Sequence, residues 1–292
     1  MIESHKAELS NLIGRDAAQS IQSSILTSYY TKESVIQFVY RVLDQMGVCG
    51  TLNILDPAMG TGNFFRLLPK NLQNSNLYGV ELDTISAKVA RQLFQTAHIQ
   101  NCGFEDAILS DNYFDLVIGN VPFGDYSCKD MTFGNQYIHD YFFLKAVSVT
   151  RPRGIIAMIT TKGTMDKKTS KCRKMLNQRT RLLCGFRLPT NAFEDVGANV
   201  TTDILFFQKT EYENTEVSNW VNLDFEYNSY FYENPQNVFG EMVEESGPFG
   251  TRWNCKLKSE ISLEQRFEEY PMQRILKKFF IPLPFVKRTS KK

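Results

Sequence analysis

Along the first 210 residues, short apolar runs alternate with stretches whose apolar positions recur every third or fourth residue. The runs Leu52–Asp56, Asn76–Glu81, His98–Gly103, Phe114–Gly119, Gly154–Thr160, Leu182–Arg187 and Thr202–Gln208 are rich in Ile, Val, Leu or Phe and predict strands. Between them, Val35, Val39, Val42 and Met46, then Ile85, Val89 and Leu93, then Phe142, Ala146 and Val149 form stripes that predict helices turned toward a core. Thr31 is expected to cap the first helix with Glu33 in its first turn, and Asp83 to cap the second. Strands that read as continuous apolar runs are buried on both faces, so the alternation predicts a doubly wound α/β sheet. Beyond Lys209 the pattern gives way to polar, aromatic and turn-rich sequence. The expected organisation is a helical segment over 1–27, the α/β domain over 28–210 and an irregular extension over 211–292.

Composition sharpens this only where it excludes. With 292 residues, 42% apolar, 22% charged and a net charge of +1, the chain has the make-up of a globular protein. It has no run of about 18 apolar residues, and MIESHKAELS lacks the apolar core of a secretory signal, so a cytoplasmic protein without a membrane span is expected. Six cysteines without a C-x-x-C pair, and three histidines without ligand spacing, predict reduced thiols and no metal. Charge is segregated: Arg151 to Arg187 holds 11 lysines and arginines against the single acid Asp166. Glu211 to Tyr270 holds 13 acids against 4 bases, and Pro271 to Lys292 holds 7 bases and no acid. A basic block of this kind suits a polyanionic partner or a solvated helix face, and chemistry has to choose.

The chemistry begins where the first strand runs into DPAMGTGNF, Asp56 to Phe64. A glycine-rich turn after a strand lets backbone approach a ligand at the carboxyl end of the sheet. A dinucleotide fingerprint needs a third glycine where Phe65 stands, and a phosphate-binding loop needs Gly-Lys-Ser/Thr, which is absent. An adenosine-bearing ligand without a cradled pyrophosphate fits what is left. Glu81 ends the second strand about 20 residues on, where a carboxylate accepts bonds from ribose hydroxyls. Gly103-Phe104-Glu105-Asp106 ends the third, offering an acid, with Glu105 favoured, to an adenine amino group and an aromatic wall.

The fourth strand delivers Asn120-Val121-Pro122-Phe123. DPAMGTGNF, then GVELD, then DLVIGNVPFGDY resembles the S-adenosylmethionine-dependent DNA adenine-N6 methyltransferases in their gamma motif order, and most resembles the methylase portions of long plasmid-borne methylase–helicase fusions, with a role in restriction-modification. The resemblance implies a Rossmann-like class I methyltransferase fold with a seven-stranded, mostly parallel sheet. It implies S-adenosylmethionine as cofactor, held by Thr31, Asp56, Pro57, Ala58, Gly60, Gly62, Phe64, Glu81, Glu105 and Asn120. It implies DNA as partner, with a helicase or target-recognition partner beside it. Asn120, Val121, Pro122 and Phe123 become the catalytic tetrapeptide. The Asn120 side-chain oxygen and the Val121 carbonyl would each accept an N–H of the target amine, and Phe123 would stack on a flipped base. Phe193, in RLPTNAF, is expected to pack on the same base or to sit in the core, and Lys167, Lys168, Lys171 and Lys174 to face phosphate. Two positions depart from the family: Lys32 and Val121 stand where it has proline. If only the Val121 carbonyl is used, Val121→Pro should be accepted. RNA adenine, a protein glutamine amide, or an inactive remnant remain the alternatives.

Overall fold

The computed structural model describes residues 31–124, 126–193, 199–247, 250–257 and 261–275. The expected helical segment 1–27, residues 28–30 and the basic tail beyond 275 lie outside the described residues.

All seven expected strands form, and each lies within a few residues of its expected bounds. In chain order the elements are α1 (Glu33–Gln45), β1 (Asn53–Asp56), α2 (Asn63–Arg66), β2 (Asn76–Val80), α3 (Thr84–Leu93), β3 (His98–Gln100), β4 (Phe114–Asn120), a hairpin of β5 (Ser127–Asp130) and β6 (Gly134–Tyr137), α4 (Ile138–Val149), β7 (Thr150–Thr161), α5 (Gly163–Asp166), α6 (Lys171–Arg179), β8 (Thr180–Leu188) and β9 (Thr202–Lys209). The main sheet runs β3-β2-β1-β4-β7-β9-β8, parallel except for β9, which is antiparallel to both its neighbours. The strand order reverses between β1 and β4, and in a doubly wound sheet the crevice at that point receives the ligand.

One core lies on each face of the sheet. The first holds Val35, Val39, Val42 and Met46 of α1, all buried, against Ile54, Leu116, Ile118 and Phe186. The second holds almost all of α4, including the expected Phe142, Ala146 and Val149, against Val117, Ile156 and Phe207. After β9 come α7 (Ser229–Glu233), the hairpin of β10 (Glu241–Gly247) and β11 (Gly250–Lys256), and α8 (Leu263–Glu269). Trp220, Val221 and Phe231 enter the second core, and Phe239, Phe267 and Tyr270 the first. Phe267 stacks on Phe38 of α1 at 4.4 Å. Each such buried aromatic is worth about 1.5–3 kcal/mol, so the extension helps to hold the α/β domain together.

Two local expectations are corrected. The Lys32 carbonyl accepts from Ile36 N and opens α1, so Thr31 lies one residue outside the helix, buried, and caps nothing. On α3 the buried face is Ser86, Ala87 and Ala90, while Val89 and Leu93 are 41% and 61% exposed. Small residues let α3 lie close against the edge of the sheet, and Phe94, just past its end, takes up the packing against Phe65. Asp83 does cap α3, accepting from Ser86 N at 2.7 Å.

Candidate active site

The glycine turn is built as a cradle. Gly60 and Gly62 have φ of +55° and +92°, a region closed to most side chains. A Cβ on Gly60 would meet nothing within 4 Å, so that glycine borders open space at the carboxyl end of β1. A Cβ on Gly62 would lie 2.3 Å from the Phe94 ring, so the absence of a side chain here also lets the turn pack against the end of α3. Phe64 is buried in the core, and its carbonyl accepts the Tyr40 hydroxyl at 2.8 Å. Glu81 closes the other side: its carboxylate accepts from Gly60 N and from Asp83 N, both at 2.7 Å. Burial raises the Glu81 pKa against the pull of the Asp83 and Gly60 amides.

Asp56, 1% exposed, is pushed up to about 8 by burial, with the Glu81 charge adding to the effect and the Ala58 amide opposing it. The open space over Gly60, with the partly exposed Glu81 carboxylate at its side, suits a ligand that brings hydroxyl or amine donors to a backbone cradle. The residues present therefore fit S-adenosylmethionine. We expect Gly60→Val to abolish its binding by filling the cradle, and Glu81→Ala to weaken it by about 1–3 kcal/mol through loss of charge-assisted bonds. Gly62→Val should lower the melting temperature by clashing with Phe94. Titration calorimetry reads the first two and thermal melting the third; unchanged affinity in both Gly60→Val and Glu81→Ala would move the ligand elsewhere.

The tetrapeptide stands beside this cradle because β4 pairs with β1, Leu55 against Val117. Gly119 makes the approach close, since a Cβ there would fall 2.6 Å from Asp56 Oδ1. Asn120 Oδ1 is buried, and Phe123 is half-buried. Val121 differs from expectation. Its side chain is 2% exposed in the second core, and its amide donates to the Ile159 carbonyl of β7 at 3.0 Å. Proline has no such donor, so Val121→Pro is expected to lower stability by about 1–3 kcal/mol, read from a denaturant midpoint. An unchanged midpoint would show that the bond contributes nothing net.

Other candidates separate. Glu105 is exposed and folds over Gly103, whose Cβ would lie 2.5 Å from Glu105 Oε1. Phe104 is not an open aromatic wall: it is 2% exposed and packs on Phe142 at 4.8 Å. Phe193 is fully buried in the first core, edge-on to Phe123 at 5.9 Å, so it backs the tetrapeptide and presents no free face. Five of the eleven cations of the basic block are spent inside the protein. Arg151 Nε donates to Asp115 at 2.6 Å, Arg173 to the carbonyls of Val221 and Lys167 at 2.6 and 2.7 Å, and Arg187 to Asp203 and Asp166. Lys162 donates to Asn254 Oδ1 at 2.7 Å. Lys167 is half-buried, paired with Asp140 at 2.8 Å and seated over the Tyr137 ring, which removes it from the expected phosphate contacts. Lys168, Lys171 and Lys174 stay exposed around the start of α6, at the carboxyl end of the sheet.

Three residues escaped the sequence reading. Leu82, directly after Glu81, is 73% exposed beside the cradle, and an apolar residue just past the end of a strand was the available signal. Asn101 Nδ2 donates to the carbonyls of Glu81 and Leu82 at 2.8 and 3.1 Å and so fixes that turn. Tyr40, one helix away, lies close enough to Asp56 that the carboxylate charge adds to burial in raising its pKa.

Strand order and glycine turn together define a class I methyltransferase fold. The chain belongs to the N-6 DNA Methylase family, whose model matches residues 17–246. It is 26% identical over 201 residues to the Defense against restriction protein B of Escherichia phage P1, a match that covers 65% of this chain and 9% of that protein. It is 31% identical over 103 residues to the Type II methyltransferase M.CvrRI of Paramecium bursaria Chlorella virus XZ-6E, covering 32% of this chain and 24% of that one. The chain thus spans less than a quarter of either relative. A solved structure from Listeria monocytogenes, described as a class I S-adenosylmethionine-dependent methyltransferase, aligns with a TM-score of 0.53 at 20% identity over 64% of this chain and 62% of its own, a likeness of fold. No helix among the described residues is long and apolar enough to cross a membrane, and no group of three or more His, Cys, Asp or Glu among them could hold a metal.

Proposed function

We propose that this chain transfers a methyl group from S-adenosylmethionine to the exocyclic N6 amine of adenine in DNA. The observation that carries the reading is the close approach of β4 to the Asp56 turn at Gly119, which puts the next residue, Asn120, at the carboxyl end of the strand beside the glycine loop. Asp56, Gly60, Glu81 and Glu105 would hold the cofactor, with Leu82 offering an apolar face to its adenine. The cofactor supplies an electrophilic methyl on a sulfonium. An aromatic amine is a weak nucleophile because its lone pair is delocalised into the ring. The Asn120 side-chain oxygen and the Val121 carbonyl would each accept one N–H, turning the nitrogen lone pair toward the methyl and stabilising the positive charge that develops. Phe123, braced by Phe193, would give the extruded base a face to stack on. Transfer of labelled methyl to duplex DNA, run beside RNA and total protein, tests this. Labelling of RNA or protein in preference to DNA would reassign the substrate, and no labelling would make the chain a cofactor-binding remnant.

Lys168, Lys171 and Lys174 would meet the phosphate backbone. Replacing the three by Glu should weaken DNA binding equally on all sequences and reduce the salt slope by about 0.9 for each phosphate that is no longer neutralised. Cofactor affinity should be untouched. An unaltered slope would identify these lysines as a solvated face. The short span relative to its matched relatives favours a longer polypeptide or a partner subunit that supplies target recognition.

A further inference from the structure

We infer that a ladder of surface aromatics on the C-terminal extension is a docking site for a lysine- and arginine-rich polypeptide segment. Tyr227 and Tyr232 stack face to face, centroids 3.9 Å apart and 8° from parallel. Phe225 flanks the pair at 4.8 Å from Tyr232, tilted by 44°, and Trp253 of β11 flanks it on the other side at 5.9 Å from Tyr227, tilted by 51°. Phe225 is 54% exposed and Tyr232 38%, so the outer rings gain little from the protein's own core.

The ladder is held rigidly. The Tyr232 hydroxyl donates to Glu226 at 2.6 Å, and Asn228, next to Tyr227, is fully buried and donates to the carbonyls of Met165 and Trp220. The Lys162 ammonium donates to the Trp253 carbonyl and to Asn254. Lys162 is the first residue past β7, and β7 pairs with β4, so the ladder stands at the carboxyl end of the sheet, one strand over from Asn120.

Stacked aromatics can receive either a nucleobase or a cation, and charge decides between them. From Thr210 to Thr251 the chain has nine acids and no lysine or arginine; the cations at the inner end of the ladder are Lys162 on the Trp253 carbonyl, Arg187 at 5.9 Å from the Tyr227 ring, and Arg252 next to Trp253. Asp224, Glu226 and Glu233 flank the three outer rings and are exposed, and Glu244 is the cross-strand neighbour of Trp253. At the outer rings, Phe225 and Tyr232, the flanking exposed charges are carboxylates, which repel phosphate there. A guanidinium or ammonium would gain both the ring faces and the carboxylates, and a run of such groups can span the ladder. Docking here would place a basic segment beside the catalytic cleft, where a DNA-recognition module has to be.

The test uses the full chain and an octa-arginine peptide, followed by tryptophan emission. Trp220 is buried at 3% exposure, so Trp253 is the reporter, and a Trp253→Phe variant assigns the signal. Peptide should change the emission, with an affinity that falls as salt rises. Phe225→Ser and Tyr232→Ser, surface changes whose melting curves verify folding, should each weaken binding at least fivefold although every carboxylate is retained. Wild-type affinity in both variants would reduce the effect to unspecific charge attraction and overturn the proposal. A single-stranded oligodeoxynucleotide that displaces the peptide or binds more tightly would overturn it in favour of a nucleobase platform.

Discussion

Asn120→Ala is expected to slow methyl transfer about 100-fold or more while leaving cofactor affinity nearly unchanged. The separation follows from geometry. The cradle proposed for the cofactor is formed by Gly60, Asp56 and Glu81, whose carboxylates are tied to the amides of Ala58, Gly60 and Asp83. Alanine keeps the β4 register, including the pairing of residue 120 with Ile159, and removes only a buried oxygen at the strand end. That oxygen is already in place before the reaction, so its loss falls on the transition state, where the amine becomes positive. Single-turnover rates together with calorimetric affinity read the two effects apart. Asn120→Asp is the sharper companion, because it keeps an acceptor and alters charge; partial activity there, with none in Asn120→Ala, would locate the effect in hydrogen-bond acceptance. A wild-type rate in Asn120→Ala would remove this residue from the mechanism.

How far the sequence reaches is clearest at single residues. The strands were legible because burial on both faces writes uninterrupted apolar runs, and Leu116, Val117 and Ile118 are indeed wholly buried. The glycine turn and its distance to Glu81 were legible because backbone approach demands glycine at fixed positions. The α3 stripe misled because Val89 and Leu93 have helical spacing, yet an edge helix is seated by its small residues. Phe104 and Phe193 follow strands that lead to the site, and nothing in one chain's sequence separates a ligand-facing aromatic from a core one. The basic block misled for a different reason. Net charge counts Arg151, Arg173, Arg187 and Lys167 as available, whereas their partners Asp115, Asp203 and Asp140 and the Val221 carbonyl come from distant segments. The amide bond of Val121 is equally nonlocal, made to a strand 38 positions along at Ile159.

Arg187→Ala is expected to be the most destabilising of these substitutions, at about 3–5 kcal/mol. Arg187 is fully buried on β8 and grips Asp203 of β9 with two bonds, Nε to Oδ1 at 2.8 Å and Nη2 to Oδ2 at 2.9 Å. Nη2 also donates to Asp166 at 2.9 Å, and the guanidinium sits 4.1 Å from the Phe231 ring. Asp166 in turn accepts from Asn228 N, so one cation joins two strands, the turn after β7 and the extension. Burial opposes the charge on Arg187, but Asp166 and Asp203 more than offset it and raise its pKa, so it is cationic at every working pH. Alanine would leave Asp203, itself without solvent exposure, facing Asp166 with no cation between them. Asp203, whose pKa burial already raises against the pull of Arg187, would then rise further and take up a proton on folding. A raised carboxyl pKa means stability that is present at low pH and lost as pH rises through the folded value, so the deficit should be larger at pH 8 than at pH 5. Adding Asp203→Asn to Arg187→Met, which removes both charges and keeps the volume, should recover part of the loss. Because a domain holds only about 5–15 kcal/mol in all, Arg187→Ala should shift the denaturant midpoint far enough to be plain in a single unfolding curve. A midpoint equal to wild type at both pH values would show that the two acids reach water without their arginine.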